Sequence, residues 1–269
     1  MVPGSLMLLR HGESVANARS LFTGVLNVDL TPSGERDCAL AGARLRHVGF
    51  RPTLIITSWL VRGWRTAELV AGQIGYRGGI ERHWELNERN YGALSGLQKA
   101  EVRERYGQES FLYWRRSYAG RPPPLPESTL ELWRRLAPFD RLPPEALVAT
   151  ESLRDVVARI EPWWHRVLQP ALAGGEDLLV VAHGNSLRAL CAVIDDLDER
   201  EVSALNLPNA RPLLYRFTSP RPDAGENPRP DPPGDAAAPG LTPTRRGGEY
   251  LDPAEARREA AIIAAQGGT

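Results

Sequence analysis

The sequence predicts an α/β fold in which a mostly parallel central sheet is covered by helices on both faces. Apolar segments typical of strands alternate along the chain with segments of helical periodicity. The strand segments are continuously apolar, without the polar alternation of a half-exposed strand. Strands of that kind are buried on both faces, as in parallel sheets joined by helices. The 269 residues suffice for one large domain of this class or two small ones.

Strands are predicted at residues 6–9, 53–57, 178–182 and 212–217, which read LMLL, TLIIT, LLVVA and PLLYRF. The first helix is expected after Thr31, because threonine followed by proline is typical of an N-cap with proline at the first helical position, and Gly49 ends the pattern. Further helices are expected at 65–75, at 150–168 with a kink at Pro162, at 186–194 and at 253–265.

Two segments depart from this alternation. Residues 75–124 are charged and aromatic without a long period, so we expect loops and short helices over the sheet edge. Residues 219–243 contain eight prolines, which predicts a flexible insertion over 219–246. The expected organisation is therefore a single catalytic domain over residues 1–218, the insertion, and a C-terminal tail and helix, 247–269, that belong to the same domain.

Composition narrows the functional classes. Lys and Arg together number 33, as do Asp and Glu, so no global basic field indicates nucleic acid. Cys38 and Cys191 lie in apolar stretches without Cys-x-x-Cys spacing, so we expect buried, reduced thiols in a cytoplasmic protein. No apolar run approaches the ~20 residues of a membrane span. No signal peptide is expected either.

The first candidate site residues come from a short internal echo, LMLLRHGES and LLVVAHGNS. It places His11 and His183 after two predicted strands, where ligands bind in open α/β sheets. One such histidine is more often structural than functional, but two in the same context favour a site. The amides that follow each His-Gly can face an anion. No His-Glu-x-x-His or paired-cysteine pattern is present, so no metal site is predicted.

Arginines near these histidines suggest phosphoryl chemistry. Arg10 favours the neutral, nucleophilic form of His11 and can bind the oxygens of a phosphoryl group. Arg62 follows the second predicted strand and can reach the same edge. Taken alone, Arg62 would be interpreted as an ordinary solvated residue.

The segment 75–124 adds a carboxylate, Glu88, and a group of cations: Arg89, Lys99, Arg115 and Arg116. Each alone is typical of a solvated surface, but together they suit a small polyanionic substrate. Lys99 is the single lysine among 33 basic residues. It therefore suggests a position that needs a compact point charge.

Together, the motifs LLRHGES, FTG, TSWLVR, LNERNYGALSGLQK, WRRSY and VVAHGNSLRAL resemble those of the 2,3-bisphosphoglycerate-dependent phosphoglycerate mutases, in the histidine phosphatase superfamily. The likeness covers roughly residues 6–217 and resumes at GGEYLDP. Arg-His-Gly alone marks the superfamily. The LNERNYGALSGLQK block and the paired arginines are more specific to the mutases.

The resemblance implies the roles of individual residues. His11 would become the phosphohistidine, His183 would stabilise the transferring phosphoryl group, and Glu88 would be the general acid and base. Arg10, Arg62 and Asn17 would bind the phosphoryl group. Further positions match substrate-contacting residues of the family: Ser14, Thr23, Gly24, Arg89, Tyr91, Lys99, Arg115, Arg116, Gly184 and Asn185.

The implied reaction is the interconversion of 3-phosphoglycerate and 2-phosphoglycerate in glycolysis and gluconeogenesis. Phosphorylated His11 would give its phosphoryl group to 3-phosphoglycerate, and the 2,3-bisphosphoglycerate formed would reorient and return the other group. The implied cofactor is 2,3-bisphosphoglycerate as priming donor, with no metal. The implied partner is a small phosphorylated carboxylic acid rather than a nucleic acid or membrane, and a homo-oligomer is compatible with the family.

Two other functions stay open on the sequence alone. A phosphomonoesterase on the same fold would pass the phosphoryl group to water, although Lys99 and the arginine pair suit a substrate held in place. A binding protein that senses the ligand would form a phosphohistidine without turnover. Some positions depart from the family pattern without removing a catalytic group: Val25, Gly63, Asn90, Asn209 and Ala210.

Overall fold

The computed structural model describes residues 2–219 and 240–265. In chain order its strands are β1 Leu6–Arg10, β2 Leu54–Thr57, β3 Ile80–Arg82, β4 Leu178–Ala182, β5 Leu213–Tyr215, β6 Phe217–Thr218, β7 Thr242–Pro243 and β8 Glu249–Tyr250. The central sheet has the order β3-β2-β4-β1-β5-β8, and β6 pairs with β7 in a second sheet. The pairs β3–β2, β2–β4 and β4–β1 are parallel, whereas β5 and β8 add antiparallel edges.

The helices are α1 Val15–Ala18, α2 Pro32–His47, α3 Val61–Ile74, α4 Lys99–Arg116, α5 Glu127–Arg134, α6 Leu153–Trp163, α7 Gln169–Ala173, α8 Gly184–Asp195, α9 Glu199–Ala204 and α10 Pro253–Ala265. A π-helix, Trp164–Leu168, joins α6 to α7. None of the helices in the described part of the chain combines the length and apolar character needed to cross a membrane.

Hydrophobic residues cover both faces of the sheet, which confirms the predicted fold class. Successive side chains of a strand point to opposite faces. In β1, Leu8 packs in a cluster with residues of α6 and α8, whereas Met7 and Leu9 pack in another with residues of α2 and α3. Because both faces are buried, every position of β1 and β4 is apolar up to the strand end except Arg10.

Most predicted elements are confirmed within a few residues. Thr31 caps α2, since its Oγ1 accepts a hydrogen bond from the Gly34 amide at 3.0 Å. The strand predicted at 212–217 is divided instead, because exposed Arg216 separates β5 from β6, and these strands lie in different sheets. The helix predicted from residue 150 begins at Leu153 after its cap, Ser152, and changes to π geometry at Trp164, two residues after Pro162.

Residues 75–124 are more regular than predicted. They contain β3, an edge strand with one apolar residue that sequence patterning does not reveal, and the 18-residue α4, whose Gly107 has φ 81°. Few α4 side chains are buried, so its apolar period is weak. Residues 220–239 of the predicted insertion lie outside the described residues, and β7 follows them.

Candidate active site

The two echoed histidines meet at one edge of the sheet. Strands β1 and β4 are adjacent and parallel with Arg10 opposite Ala182, so His11 and His183 leave the sheet side by side. Their ring centroids are 4.9 Å apart and both side chains are buried. The fold therefore brings the two histidines of the echo together at one place.

Hydrogen bonding defines which nitrogen of His11 keeps a free lone pair. Nδ1 lies 2.6 Å from the carbonyl oxygen of Gly12. A carbonyl only accepts, so Nδ1 carries the proton and Nε2 keeps its lone pair. Burial and the charges of Arg62 and Arg10 lower the pKa of His11 well below its usual value. The imidazole is thus neutral, with Nε2 facing Arg62 Nε at 3.3 Å.

Gly12 allows this loop to pack against α2. A Cβ at this position would lie 2.4 Å from the Gly34 carbonyl oxygen and 2.6 Å from Cys38 Sγ. Any larger residue would push His11 away from the sheet edge. The glycine of Arg-His-Gly is therefore required for close packing between backbone segments.

Ser58, which was not among the predicted site residues, hydrogen bonds to the His183 side chain. Ser58 Oγ lies 2.7 Å from His183 Nε2. The His183 backbone amide donates to Ser186 Oγ at 3.1 Å. Burial, followed by the charge of Arg62, lowers the pKa of His183 well below its usual value. Ser58 directly follows β2 at the same sheet edge, so the strand-end rule could have identified it.

Arg62 joins the histidines to the loop that contains Thr23 and Gly24. Its Nη1 donates to the Leu26 carbonyl at 2.7 Å, and its Nη2 donates to the Gly24 carbonyl at 2.8 Å. The side chain is 1% exposed, and burial lowers its pKa to about 10. These bonds fix the guanidinium, so its Nε edge stays directed at His11.

The guanidinium group of Arg10 has one nitrogen bound to the backbone and another without a partner among the described residues. Its Nη1 donates to the Leu207 carbonyl at 2.8 Å, while Nε is buried without a partner in the described part of the chain. A buried cationic group with an unused donor is suited to an anionic ligand.

The Glu88 carboxylate is oriented by backbone amides. Oε1 accepts from the Arg89 amide at 2.7 Å and from the Asn185 amide at 3.2 Å. Asn185 lies at the start of α8, where the helix dipole favours a negative charge. Its side-chain Nδ2 also donates to Tyr91 Oη at 3.2 Å. The start of α8, the helix that follows His183, therefore helps to orient the Glu88 carboxylate.

These groups surround an inner cavity of about 40 Å³, and an outer cavity of about 450 Å³ shares part of its lining. The predicted site residues that line the inner cavity are Arg10, His11, Asn17, Thr23, Gly24, Arg62, Glu88, Tyr91, Lys99 and Arg115. Arg10, Asn17 and Lys99 also line the outer cavity. The outer wall includes three residues of α10, Glu259, Ile262 and Ile263.

The other predicted site residues do not line these cavities. Ser14 caps α1, Gly184 is the first residue of α8, and His183 and Asn185 make the contacts described above. Arg89 lies 4.4 Å from the Tyr91 ring centre, with Nη2 donating to the Trp114 carbonyl. Arg116 donates to Asn206 Oδ1 at 2.9 Å.

The electrostatics of the inner cavity favour a polyanion. Its charged side chains are Arg10, Arg62, Lys99, Arg115 and Glu88. Burial, then the charges of Arg115 and Arg10, lower the pKa of Lys99 to about 7, and burial lowers that of Arg115 to about 10. An anionic ligand would offset the desolvation and the mutual repulsion of these cations. A ligand with more than one anionic group would match this set of donors.

The residues that depart from the mutase sequence pattern make the following contacts in the structure. Asn209 Nδ2 donates to the His11 carbonyl at 2.6 Å, and Ala210 has φ 52°, where glycine would be less strained. A Cβ on Gly63 would lie 2.6 Å from Ser58 Oγ. Val25 packs in a small apolar cluster. Within residues 2–219 and 240–265, no group of three or more His, Cys, Asp or Glu side chains is arranged to hold a metal ion.

Comparison with known proteins shows which families this chain resembles in sequence and in fold. The profile of the histidine phosphatase superfamily (branch 1) matches residues 6–142 and 137–224. A glucosyl-3-phosphoglycerate phosphatase of mycobacterial origin has a solved structure that superposes with a TM-score of 0.61 at 24% identity, over 80% of this chain and 93% of that one. This likeness concerns the fold alone.

Two curated relatives are closer in sequence. A 2,3-bisphosphoglycerate-dependent phosphoglycerate mutase of Thermobifida fusca is 41% identical over 98% of this chain and 99% of its own length. The enzyme of the same description from Corynebacterium diphtheriae is 40% identical over 99% of both chains. Because these matches span nearly the whole chain, this protein belongs to the histidine phosphatase superfamily and, within it, to the 2,3-bisphosphoglycerate-dependent phosphoglycerate mutase family.

Proposed function

We propose that the protein interconverts 3-phosphoglycerate and 2-phosphoglycerate through a phosphohistidine on His11 and a 2,3-bisphosphoglycerate intermediate. One observation carries the proposal: the unprotonated Nε2 of His11 lies beside a cavity whose charged lining is cationic except for Glu88. The mutase relatives at 41% and 40% identity support the same reaction. We place the enzyme in the cytoplasm, where its substrate class occurs.

The phosphoryl group moves between His11 and a substrate hydroxyl. When phosphorylated His11 donates, its N–P bond breaks, an O–P bond forms, and Glu88 accepts the hydroxyl proton. In the return step, His11 Nε2 attacks the other phosphoryl group, and Glu88 gives the proton to the departing oxygen. 2,3-Bisphosphoglycerate, when bound, supplies the phosphoryl group that primes His11.

The other residues act by charge and position. Arg62 and Arg10 lie where they can stabilise the oxygens of the transferring group, and their fixed hydrogen bonds minimise reorganisation. Lys99 and Arg115 line the same cavity and would bind the second anionic end of the substrate. A bound carboxylate and phosphate at that end would keep the hydroxyl in line with His11.

The decisive experiment is a coupled mutase assay with and without added 2,3-bisphosphoglycerate, alongside measurement of released inorganic phosphate. We expect stimulation by 2,3-bisphosphoglycerate, retention of activity in EDTA, and loss of conversion in His11→Ala because the nucleophile is removed. Release of phosphate faster than isomerisation would instead assign the protein as a phosphomonoesterase. Activity that disappears with EDTA would refute the metal-free mechanism.

A further inference from the structure

A largely buried ion pair, Arg159 with Glu151, packs against the segment that contains Glu88. Arg159 is on α6 and Glu151 just precedes the same helix. Arg159 Nε donates to Glu151 Oε1 at 2.8 Å, and the side chains are only 11% and 10% exposed. Neither lines the inner or the outer cavity. The pair therefore does not contact the substrate at the proposed site.

The pair binds the backbone on both sides of Glu88. Before it, Arg159 Nη2 donates to the Asn87 carbonyl at 2.8 Å, and Nη1 donates to the Glu85 carbonyl. After it, Glu151 Oε2 accepts from the Asn90 amide at 2.8 Å, and the Glu151 amide donates to the Asn90 carbonyl at 2.9 Å. Glu88 thus lies between two residues, Asn87 and Asn90, whose backbone groups are both hydrogen bonded to the ion pair.

Asn90, a departure from the family pattern, completes this anchor. Its Nδ2 donates to the Val148 carbonyl at 2.6 Å, and its Oδ1 accepts from the Gly92 amide at 2.9 Å. Gly92 has φ 57°, so the turn after Asn90 is a tight one. The segment that precedes α6 therefore fixes both the side chain and the backbone of Asn90.

We propose that Arg159 and Glu151 are positioning residues that hold the Glu88 carboxylate at the correct place for proton transfer. This inference rests on the proposed function, because it requires Glu88 to exchange a proton with the substrate. Buried ion pairs contribute little net stability relative to apolar residues, so stability alone gives a weak reason for this pair. A displacement of about 1 Å in a catalytic group can cost on the order of 100-fold in rate.

The test is a double-mutant cycle between Arg159→Met and Glu88→Gln. In the wild-type background, Arg159→Met is expected to lower kcat about 10- to 100-fold with KM changed less than about twofold, since substrate contacts are intact. In the Glu88→Gln background the same substitution is expected to change kcat less than about twofold. Arg159→Lys should rescue only part of the loss, because an ammonium lacks the planar fork that reaches Glu85, Asn87 and Glu151.

Arg154→Met is the matched control. Arg154 lies on the same helix and pairs with Glu199 at 3.4 Å, but both side chains are more than half exposed, at 59% and 66%. We expect it to leave kcat unchanged. Thermal melting is recorded for every variant. If Arg159→Met does not fold, Glu151→Gln replaces it in the cycle, since glutamine keeps the shape and one acceptor for the Asn90 amide.

The outcomes separate the two proposals. If Arg159→Met lowers kcat by the same factor with and without Glu88, or raises KM instead, the positioning role is overturned. A variant that behaves like Arg154→Met overturns it as well. If Glu88→Gln itself retains full kcat, the role proposed for Glu88 fails, whatever Arg159 does.

Discussion

At the scale of single residues, the site uses burial to prepare charged groups for an anion. The side chains of Arg10 and Arg62 are 8% and 1% exposed. Both lack a carboxylate partner among the described ion pairs and donate to backbone carbonyls instead. Desolvation lowers the pKa of each. A phosphoryl group bound there, as proposed, would restore interactions that folding removed from both guanidinium groups.

Lys99 gives a prediction for pH dependence. Its pKa of about 7 in the free enzyme rises when an anion binds, so binding takes up a proton above pH 7 and none below it. The contribution of Lys99 to the KM for 3-phosphoglycerate should be constant below pH 7. It should then increase by up to about tenfold per unit above pH 7. The substrate phosphate is fully ionised by then, because its second pKa is about 6.

The control for this prediction is Lys99→Arg. An arginine stays protonated throughout, so the rise in KM between pH 7 and 9 should disappear, whatever the absolute KM of the variant. Steady-state kinetics with excess coupling enzymes measure both proteins in the same buffers. A wild-type KM that stays constant from pH 7 to 9 would contradict the assigned role of Lys99.

At the scale of elements, strand ends and helix starts assemble the site. His11 and His183 follow adjacent parallel strands, and the amide of Asn185 at the start of α8 binds Glu88. Helix α10 reaches this site from the far end of the chain. Its Glu255 accepts from Arg44 at 2.6 Å and from Arg211 at 2.9 Å, and these contacts hold it beside the outer cavity.

Arg211→Met should loosen α10. The substitution removes the ion pairs of Arg211 with Glu255 and Glu259, and partly exposed pairs contribute up to about 1 kcal/mol each. We expect α10 amides to exchange with deuterium about fivefold faster, as measured by hydrogen exchange with mass spectrometry.

Arg246→Met is the control for that experiment, because Arg246 forms an ion pair with Glu201 and makes none with α10. Exchange in α10 should be the same as in the wild-type protein. Equal exchange in α10 for Arg211→Met and the wild type would show that other contacts hold the helix.

At the scale of the whole molecule, the sheet separates two apolar layers and keeps the site at one edge. Leu45 of α2 belongs to one layer and is fully buried, whereas Leu40 of the same helix is 55% exposed. The packing of these layers determines stability, while the polar groups at the strand ends determine chemistry. Substitutions in the layers should therefore affect unfolding before they affect turnover.

Leu45→Ala is expected to lower the free energy of unfolding by about 2–5 kcal/mol, since it leaves a cavity between α2 and the sheet. Leu40→Ala on the same helix should change it by no more than about 0.5 kcal/mol. Urea denaturation followed by circular dichroism measures both. Similar losses for the two variants would mean that α2 does not pack as described.

Several parts of the fold and site could be predicted from local patterns. Continuous apolar runs indicate β1 and β4 because both faces of those strands are buried, and the cap at Thr31 marks the start of α2. Strand β3 could not be predicted, since a three-residue edge strand with one apolar side chain carries no period. The division of the last predicted strand at Arg216 could not be predicted either. It arises because β5 and β6 join different sheets, which local sequence does not determine.

The sequence by itself determined the α/β class, the two histidines at strand ends and the cationic segment, because these depend on residue type and short-range spacing. The tertiary structure alone decided that Ser58 supports His183, that the start of α8 orients Glu88, and that Arg159 and Glu151 hold its backbone. Those contacts join residues 61 to 125 positions apart in the chain. The pairing of β2 with β4 brings Ser58 to His183, and the packing of α6 and α8 brings the other partners together.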